Sequence, residues 1–236
     1  MSSLRIGVLA VQGAFAEHVG RLRRLGCDAV ELRQRQDVMR TLDGLVLPGG
    51  ESTVQAKLLR DLGMMEPLER AIREGLPVLG TCAGLILLAG SVESASDGRA
   101  DGHAGSSAGG HAGSSAGGLS EVPSPGCAMC VTPVEGFRTL PVAVRRNGYG
   151  RQLGSFAARG VLNVAASGRA AETIPLTFIR APRIVSVGRG VETLVALDGE
   201  PVAVRFGRQV GCCFHPELDP DDSLYELAFF QGRSAG

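Results

Sequence analysis

The chain has 236 residues, and its 24 basic and 24 acidic side chains balance. This balance excludes a strongly basic or acidic binding protein, so we expect neither a nucleic-acid partner nor a membrane partner. No apolar run approaches the roughly 18 to 20 residues of a membrane span. Six cysteines, with Cys212 next to Cys213, do not resemble a secreted disulfide framework. We therefore expect a soluble, cytoplasmic protein with reduced thiols.

The first half of the chain alternates apolar runs with helical patterns. The run from Leu4 to Val11 predicts a strand buried on both faces, and apolar residues at helical spacing then predict a helix that ends near Gly26. Further strands are predicted at the runs DAVEL, LDGLVL and LPVLG. Helices are predicted from about Thr53 to Glu74, with a break near Pro67, and at AGLILLAG.

Strands that alternate with helices across short glycine-bearing turns are typical of the α/β class. We expect a doubly wound, flavodoxin-like, mostly parallel sheet with helices on both faces. Ligands of such folds bind at the carboxyl ends of the strands, and the segments LPGGES and GTCAG both fall there. These two segments are therefore the first candidates for a functional site.

The alternation of apolar runs stops within residues 91–139. Residues 102–109 and 110–117 both read GHAGSSAG, which offers almost nothing apolar to offset an ordering cost of about 1 to 2 kcal/mol per residue. We expect residues 91–139 to be a flexible, low-complexity insertion within a single domain that spans residues 1–236.

Cys127 and Cys130 within this insertion have the C-x-x-C spacing of a zinc site. A structural zinc ion needs two more ligands, which would have to come chiefly from His103 and His111. We therefore expect no metal site here.

Strand-like runs return after the insertion, at LPVAVRRN and IPLTFIRAP and in the region before the C-terminus. The runs TLVAL and EPVAVRF flank Asp198 and Gly199, a dipeptide typical of a hairpin turn. We therefore expect the sheet to include an antiparallel portion. The amphipathic segment from Ser223 to Phe230 predicts a closing helix.

Cys82 stands between Gly80 and Gly84, after a predicted buried strand and before a predicted helix. With cysteine in place of serine, this is the pattern of a nucleophile elbow, in which the flanking glycines allow the tight turn. The alternative is a small core residue, because free cysteines are among the most buried residue types. The turn by itself leaves both interpretations open.

A cysteine nucleophile needs a base, and the chain has four histidines. His103 and His111 lie in the repeats, and we interpret His18 on the first helix as a solvated or capping side chain. His215 ends the apolar run RQVGCCF, and the proline that follows stops this strand so that the imidazole can face the sheet edge. Glu217 could then accept the ring N–H and fix the tautomer.

The segment LPGGES follows a predicted strand, and its two glycines allow backbone N–H groups to approach a ligand. We expect an oxyanion hole formed by Gly49, Gly50 and the N–H of Ala83, the residue after the candidate nucleophile. Taken alone, the two glycines favour a plain tight turn.

The segments GTCAG and FHPE resemble the class I, or triad-type, glutamine amidotransferases. More narrowly, an ordered series of segments resembles the glutaminase-subunit family of pyridoxal 5'-phosphate synthases, the PdxT/SNO family. These segments are IGVLAVQGAFAEH, LDGLVLPGGEST, MEPL, GTCAGLILLA, VRRNGYGRQLGSF, FIRAP and GCCFHPEL. The resemblance covers nearly the whole chain apart from residues 91–139 and the end.

The resemblance implies that Cys82 is the nucleophile, His215 the general base and acid, and Glu217 the residue that orients the imidazole. It implies a glutamine pocket formed by six residues: Gly50, Glu51, Ser52, Arg146, Ile179 and Arg180. An arginine there suits the α-carboxylate of glutamine.

The implied reaction hydrolyses glutamine to glutamate and ammonia through a cysteine thioester. The implied partners are L-glutamine and a pyridoxal 5'-phosphate synthase subunit, which accepts the ammonia for vitamin B6 biosynthesis and activates the glutaminase. No metal and no organic cofactor is implied.

Two other functions fit the same sequence. A non-catalytic regulatory partner of the synthase would fit an insertion that blocks the pocket, although every member of the triad is present. A cysteine hydrolase of the same fold could act on another amide, although GGES, VRRN and FIRAP favour glutamine.

Overall fold

The computed structural model describes residues 3–93, 135–149, 154–163 and 172–230. The GHAGSSAG repeats and the C-x-x-C pair lie outside these ranges, as do the zinc ligands considered for that pair. None of the helices in the described ranges has both the length and the apolar character of a membrane-spanning segment.

Twelve strands form within these ranges. They are β1 (Arg5–Leu9), β2 (Asp28–Leu32), β3 (Gly44–Leu47), β4 (Val78–Thr81), β5 (Ala89–Glu93), β6 (Leu140–Arg145), β7 (Ser155–Leu162), β8 (Glu172–Ile179), β9 (Arg183–Val187), β10 (Glu192–Leu197), β11 (Glu200–Phe206) and β12 (Gln209–Cys212). The helices are α1 (Phe15–Arg24), α2 (Arg35–Val38), α3 (Ser52–Asp61), α4 (Met65–Arg73), α5 (Ala83–Leu88) and α6 (Ser223–Tyr225). A 3-10 turn covers Pro216–Leu218, and a π-helical turn over Glu226–Phe230 continues α6.

In the described part of the chain, nine strands form one sheet in the order β2-β1-β3-β4-β12-β11-β10-β7-β8. Strands β2, β1, β3, β4 and β12 run parallel. The chain moves outward from β1 to β2 and then returns to the other side of β1 as β3. Because crossovers share one hand, this reversal puts α1 on one face and the helices that flank β4 on the other. The prediction of a doubly wound sheet is confirmed.

Strands β11, β10, β7 and β8 extend this sheet through antiparallel pairings. Asp198 at φ 52° and Gly199 at φ 83° form the turn between β10 and β11, which confirms the predicted hairpin. The sheet is therefore parallel in one half and antiparallel in the other.

A second sheet among the described residues has the order β5-β6-β9. Ser91 pairs with Ala143, and Glu93 pairs with Arg145. Phe137 is buried, and its N–H donates to the Leu87 carbonyl over 2.6 Å. Residues 91–93 and 135–139, which the sequence placed in the insertion, therefore belong to the folded part. These strands pair through backbone N–H and C=O groups, which nearly every residue type carries, so the amino-acid composition does not reveal the pairing.

The long helical pattern predicted from Thr53 to Glu74 forms two helices, α3 and α4. The break lies at residues 62–64 rather than near Pro67, and Gly63 adopts φ 63° there. Pro67 instead lies in the first turn of α4, where its missing N–H costs no intrahelical hydrogen bond.

The helix after Cys82 and the closing helix differ in part from their predicted forms. The helix predicted at AGLILLAG ends at Leu88, and its last two residues begin β5. The closing helix predicted from Ser223 to Phe230 forms, with π geometry in its second part.

Candidate active site

Cys82 lies between the end of β4 and the start of α5. Its N–H donates to the Cys212 carbonyl over 2.9 Å, which ties this turn to the end of β12. Cys82 itself adopts φ 48° and ψ −97°, a conformation that costs a non-glycine residue on the order of 1 to 3 kcal/mol. The strained backbone presents the sulfur at the carboxyl edge of the parallel strands, as a nucleophile elbow does.

The glycines beside Cys82 serve close packing rather than the turn conformation that the sequence suggested. A Cβ on Gly84 would lie 2.0 Å from the carbonyl oxygen of Leu47 on β3. A Cβ on Gly80 would lie 2.9 Å from the Gly84 backbone. Neither glycine has a positive φ, so the two glycines let α5 approach β3 and β4 while Cys82 bears the strained backbone.

His215 follows β12, and a hydrogen bond holds its backbone. Its N–H donates to the Thr177 carbonyl on β8 over 2.8 Å. The carboxylate of Asp219 accepts hydrogen bonds from the N–H and the hydroxyl of Thr177, at 3.0 and 2.8 Å. The antiparallel edge of the sheet therefore fixes the loop that carries His215.

The side chain of His215 bridges Cys82 and Glu217. Oε1 of Glu217 lies 2.7 Å from Nδ1 of His215, and the Cys82 side chain lies close enough to the same imidazole to raise its pKa. Burial lowers the pKa of His215, but the interactions with Cys82 and Glu217 outweigh burial and raise this pKa to about 10. The arrangement therefore favours an imidazolium beside the sulfur.

Glu217 is 5% exposed and lies behind His215. Burial raises the pKa of Glu217, but His18 and His215 outweigh this effect and lower it. The prediction that His18 is a solvated or capping side chain is wrong, because His18 is 0% exposed and its Nε2 lies 3.3 Å from Oε2 of Glu217. The residue falls on the face of α1 that packs against the sheet.

An open cleft of about 330 Å³ lies above Cys82 and His215. It suits a small amino-acid ligand, since small-molecule sites typically begin at about 300 Å³. The structure brings nine predicted site residues to its lining, which are Gly49, Gly50, Glu51, Ser52, Cys82, Arg146, Ile179, Arg180 and His215. Ala83 is buried just beneath Cys82, and as the first residue of α5 it has an N–H without an intrahelical acceptor.

Positions 49 and 50 need glycine because the side chains of other residues approach the backbone closely there. A Cβ on Gly49 would lie 2.3 Å from Cε1 of His215, and a Cβ on Gly50 would lie 2.4 Å from Oε1 of Gln12. The Gly49 carbonyl accepts a hydrogen bond from the N–H of Ala14 over 3.0 Å. The two glycines therefore bring backbone to the imidazole and into the cleft, as an oxyanion site needs.

Glu51 links the start of α3 to Arg146. Its carboxylate caps α3 by accepting from the N–H and the hydroxyl of Thr53, at 3.1 and 2.9 Å. Nη2 of Arg146 donates to Oε1 of Glu51 over 3.0 Å. Helix capping and an ion pair therefore hold a guanidinium at the cleft.

Ser52 and Ile179 both line the cleft. Ser52 is 2% exposed, and its hydroxyl has no hydrogen-bond partner among the residues that the structure describes. The carbonyl oxygen of Ile179 lies 3.9 Å from Sγ of Cys82. Arg180 is exposed at the cleft with φ 44°, and its N–H donates to the Gly154 carbonyl.

Three residues of the site were missed by sequence reasoning: Gln12, Asn147 and His18. Oε1 of Gln12 accepts from the N–H of Glu51 over 2.9 Å and lines the cleft, and Asn147 lines it beside Arg146. The position of Gln12 directly after β1, at the carboxyl edge of the sheet, was a usable signal. No group of three or more His, Cys, Asp or Glu side chains suited to a metal ion occurs within the described ranges.

Comparisons with known proteins give the family. A sequence profile of the SNO glutamine amidotransferase family matches residues 8–99 and 129–232. The pyridoxal 5'-phosphate synthase subunit PdxT of Desulfitobacterium hafniense (strain Y51) is 43% identical over 235 residues, covering 98% of this chain and 96% of that protein. The subunit of the same name from Methanocorpusculum labreanum is 43% identical over 223 residues, covering 94% of this chain and 95% of that protein.

A solved structure gives the same result. A crystal structure described as a glutamine amidotransferase matches with a TM-score of 0.70 at 33% identity, and the match covers 94% of this chain and 98% of that chain. Both the sequence and the fold therefore agree with the class I glutamine amidotransferases. The chain belongs to the SNO glutamine amidotransferase family.

Proposed function

We propose that this protein hydrolyses L-glutamine to glutamate and ammonia and delivers the ammonia to a pyridoxal 5'-phosphate synthase subunit for vitamin B6 biosynthesis. One observation supports the proposal above all. Cys82, His215 and Glu217 lie next to one another at the base of an open cleft, and Arg146 lines that cleft. A nucleophile, a base and an orienting carboxylate meet there in hydrogen-bond reach.

In the first half of the reaction, Sγ of Cys82 attacks the side-chain amide carbon of glutamine. His215 holds a proton on Nε2 beside the sulfur during this attack, and its other nitrogen is held by Glu217. Negative charge develops on the amide oxygen, and the N–H groups of Ala83 and of the Gly49–Gly50 segment are proposed to stabilise it. His215 then donates its proton to the departing nitrogen, which leaves as ammonia.

In the second half, the γ-glutamyl thioester on Cys82 is hydrolysed. His215, now neutral, removes a proton from a water molecule that attacks the thioester carbon. The tetrahedral intermediate collapses with cleavage of the C–S bond, and the proton taken from water stays on His215 beside the released sulfur. Glutamate leaves, and the free side chains are restored.

The rim of the cleft is proposed to recognise the amino-acid end of glutamine. The guanidinium of Arg146 suits the α-carboxylate, since arginine binds carboxylates through two parallel hydrogen bonds. Glu51 suits the α-ammonium group by charge and holds Arg146 in place. The buried hydroxyl of Ser52, the backbone of Gly50 and the Ile179–Arg180 segment complete the proposed pocket.

The partner and the setting belong to the same proposal. The relatives from D. hafniense and M. labreanum carry the name of a pyridoxal 5'-phosphate synthase subunit, which supports a synthase subunit as the acceptor of ammonia and the activator. A reduced Cys82 thiol needs a reducing compartment, so we place the protein in the cytoplasm. We propose no nucleic-acid or membrane partner and no cofactor.

The domain organisation is also proposed. Residues 100–128 fall between the two segments that match the family profile, which supports an insertion within one amidotransferase domain. Replacing residues 96–132 by a short Gly-Ser linker should leave glutamine hydrolysis intact, because lengthening or shortening a loop changes its closure cost by only about 0.6 kcal/mol per doubling. Loss of activity in a folded linker variant would contradict this organisation.

The test of the function uses the protein together with a cognate synthase subunit. Glutamate formation from glutamine is measured for the wild type and for Cys82→Ala, which should fold normally and show no turnover above background. Cys27→Ala is the matched control, because Cys27 is also buried but precedes β2 at the amino edge of the parallel strands, opposite the cleft.

Three possible outcomes would each overturn a different part of the proposal. Full activity of Cys82→Ala would overturn the assignment of the nucleophile. Turnover of asparagine or simple amides at the rate of glutamine would overturn the substrate assignment. Glutamine hydrolysis without glutamine-dependent pyridoxal 5'-phosphate formation in the complex would leave the glutaminase chemistry and overturn the vitamin B6 assignment.

A further inference from the structure

A buried histidine lies directly behind the carboxylate of Glu217. His18 on α1 is fully buried, and its Nε2 lies 3.3 Å from Oε2 of Glu217, the oxygen that does not contact Nδ1 of His215. Its Nδ1 lies 2.7 Å from the phenol oxygen of Tyr225 on α6. His18 therefore connects two helical elements to the back of the proposed triad.

The partners of His18 determine which ring nitrogen carries the proton. An ionised carboxylate only accepts hydrogen bonds, so the nitrogen facing Glu217 must be the donor, Nε2–H. Burial raises the pKa of the Tyr225 phenol, which keeps its O–H to donate to Nδ1. Burial also lowers the pKa of His18, so the ring carries a single proton.

Thr81 completes the surroundings of this N–H. Its hydroxyl oxygen lies 3.3 Å from Nε2 of His18, the same distance as Oε2 of Glu217. The Thr81 hydroxyl, one residue before Cys82, is the hydrogen-bond partner of this nitrogen, while Oε2 of Glu217 lies beside it without a hydrogen-bond partner among the described residues. The charged and titratable groups that act on His18 from its own helix and from the elements packed against it are Glu17, Arg21, His215, Glu217 and Tyr225.

We propose that His18 is a positioning residue of the proposed triad: its Nε2–H dipole, 3.3 Å from Oε2 of Glu217, stabilises the carboxylate with Oε1 toward His215, and the Tyr225 hydroxyl fixes the tautomer of His18. This inference rests on the proposed glutaminase function. Without His18, a buried carboxylate oxygen loses the donor facing it, and such a carboxylate takes up a proton more readily. A protonated Glu217 no longer stabilises the imidazolium of His215.

The first experiment compares His18→Phe, which keeps a ring without a donor, with His18→Gln, whose amide N–H can replace Nε2–H. The pH profile of kcat/KM for glutamine is measured in the complex with the synthase subunit. In His18→Phe we expect kcat to fall about tenfold or more and the acid limb to move up by about one pH unit, with KM changed less than about twofold. In His18→Gln the acid limb should return toward its wild-type position.

Val19→Ala is the matched control for a purely structural effect. Val19 is the next residue on α1 and is also buried, so its truncation loosens the same helix without touching Glu217. We expect Val19→Ala to lower the melting temperature while its acid limb stays in place. A shift of the acid limb in Val19→Ala equal to that in His18→Phe would overturn the positioning role.

A second measurement uses the wild-type protein and needs neither a variant nor activity. Nitrogen NMR of ¹⁵N-labelled histidine should assign the neutral Nε2–H tautomer to His18 across neutral pH. Assignment of the Nδ1–H tautomer, or an unchanged pH profile in folded His18→Phe, would overturn the inference. Absence of glutamine hydrolysis in the wild-type complex would instead overturn the proposed function, so the two failures are distinguishable.

Discussion

Oε1 of Glu217 lies 2.7 Å from Nδ1 of His215, and this contact helps to raise the pKa of the imidazole to about 10. A group with a raised pKa keeps its proton until the pH passes that value, so His215 can protonate departing ammonia throughout the neutral range. Above about pH 10 the proton is lost from the free enzyme, and we expect kcat/KM to fall.

Glu217→Gln tests this relationship. The amide still accepts the Nδ1–H hydrogen bond but removes the negative charge, so the pKa of His215 should fall and the alkaline limb of kcat/KM should move to lower pH. We expect kcat at neutral pH to fall about a hundredfold or more, as for loss of general acid–base catalysis. The measurement is the pH dependence of glutamine hydrolysis, and an alkaline limb that stays in place would contradict the role of Glu217.

Gly49 gives a steric prediction. A methyl group on Gly49 would lie 2.3 Å from Cε1 of His215, so Gly49→Ala should displace the imidazole or the adjoining loop. We expect kcat to fall about a hundredfold with the fold retained, because displacements near 1 Å have effects of that size. Steady-state kinetics and circular dichroism provide the measurements.

The control for Gly49→Ala is Gly20→Ala on α1. A Cβ on Gly20 would meet nothing closer than 3.7 Å, and alanine in a helix is stabilising by about 0.4 to 1 kcal/mol. Gly20→Ala should therefore keep wild-type kinetics and gain slightly in melting temperature. Equal kinetics in the two variants would show that the space beside His215 is larger than the structure indicates.

Adjacent arginines give a prediction on substrate binding. Arg146 faces the cleft with Glu51, whereas Arg145 forms an exposed ion pair with Glu93. Arg146→Ala should lose a charged hydrogen bond worth about 1.5 to 3 kcal/mol, which raises KM for glutamine about tenfold to a hundredfold. Arg145→Ala should change KM little, because exposed ion pairs contribute about 0 to 1 kcal/mol. Equal KM values for the two variants would contradict the proposed carboxylate site.

The residues of the proposed triad could be located from the sequence because each lies shortly after a strand. Cys82 follows β4, and His215 and Glu217 follow β12, two neighbouring parallel strands whose carboxyl ends meet. The cleft-lining Gly49 and Gly50 follow β3 in the same way. The ends of the strands can be located from the apolar pattern of the sequence. These residues could therefore be identified without knowing how the helices and strands pack.

The role of His18 could not be predicted in the same way. His18 shares a helical face with Phe15, Val19 and Leu22, a signal that the interpretation as a solvated or capping side chain overlooked. Its partners come from residues 81, 217 and 225, which local pattern does not connect. The strands β5, β7 and β9 were missed as well, because most of their residues are not buried and leave no clear apolar run.

The buried, neutral His18 also predicts a pH dependence of stability. Its pKa is lowered in the folded protein, whereas in the unfolded chain it titrates near the usual value of about 6.5. Below that pH the unfolded state binds a proton on this histidine that the folded state does not. The contribution of His18 to the free energy of unfolding is therefore present above about pH 6.5 and is lost as the pH falls. The loss is on the order of 1 kcal/mol per pH unit. Denaturant unfolding of wild type and His18→Gln between about pH 5 and 8 isolates this contribution, since the other titrating groups are shared. The difference in stability between the two proteins should shrink as the pH falls, and a constant difference would contradict a neutral, buried His18.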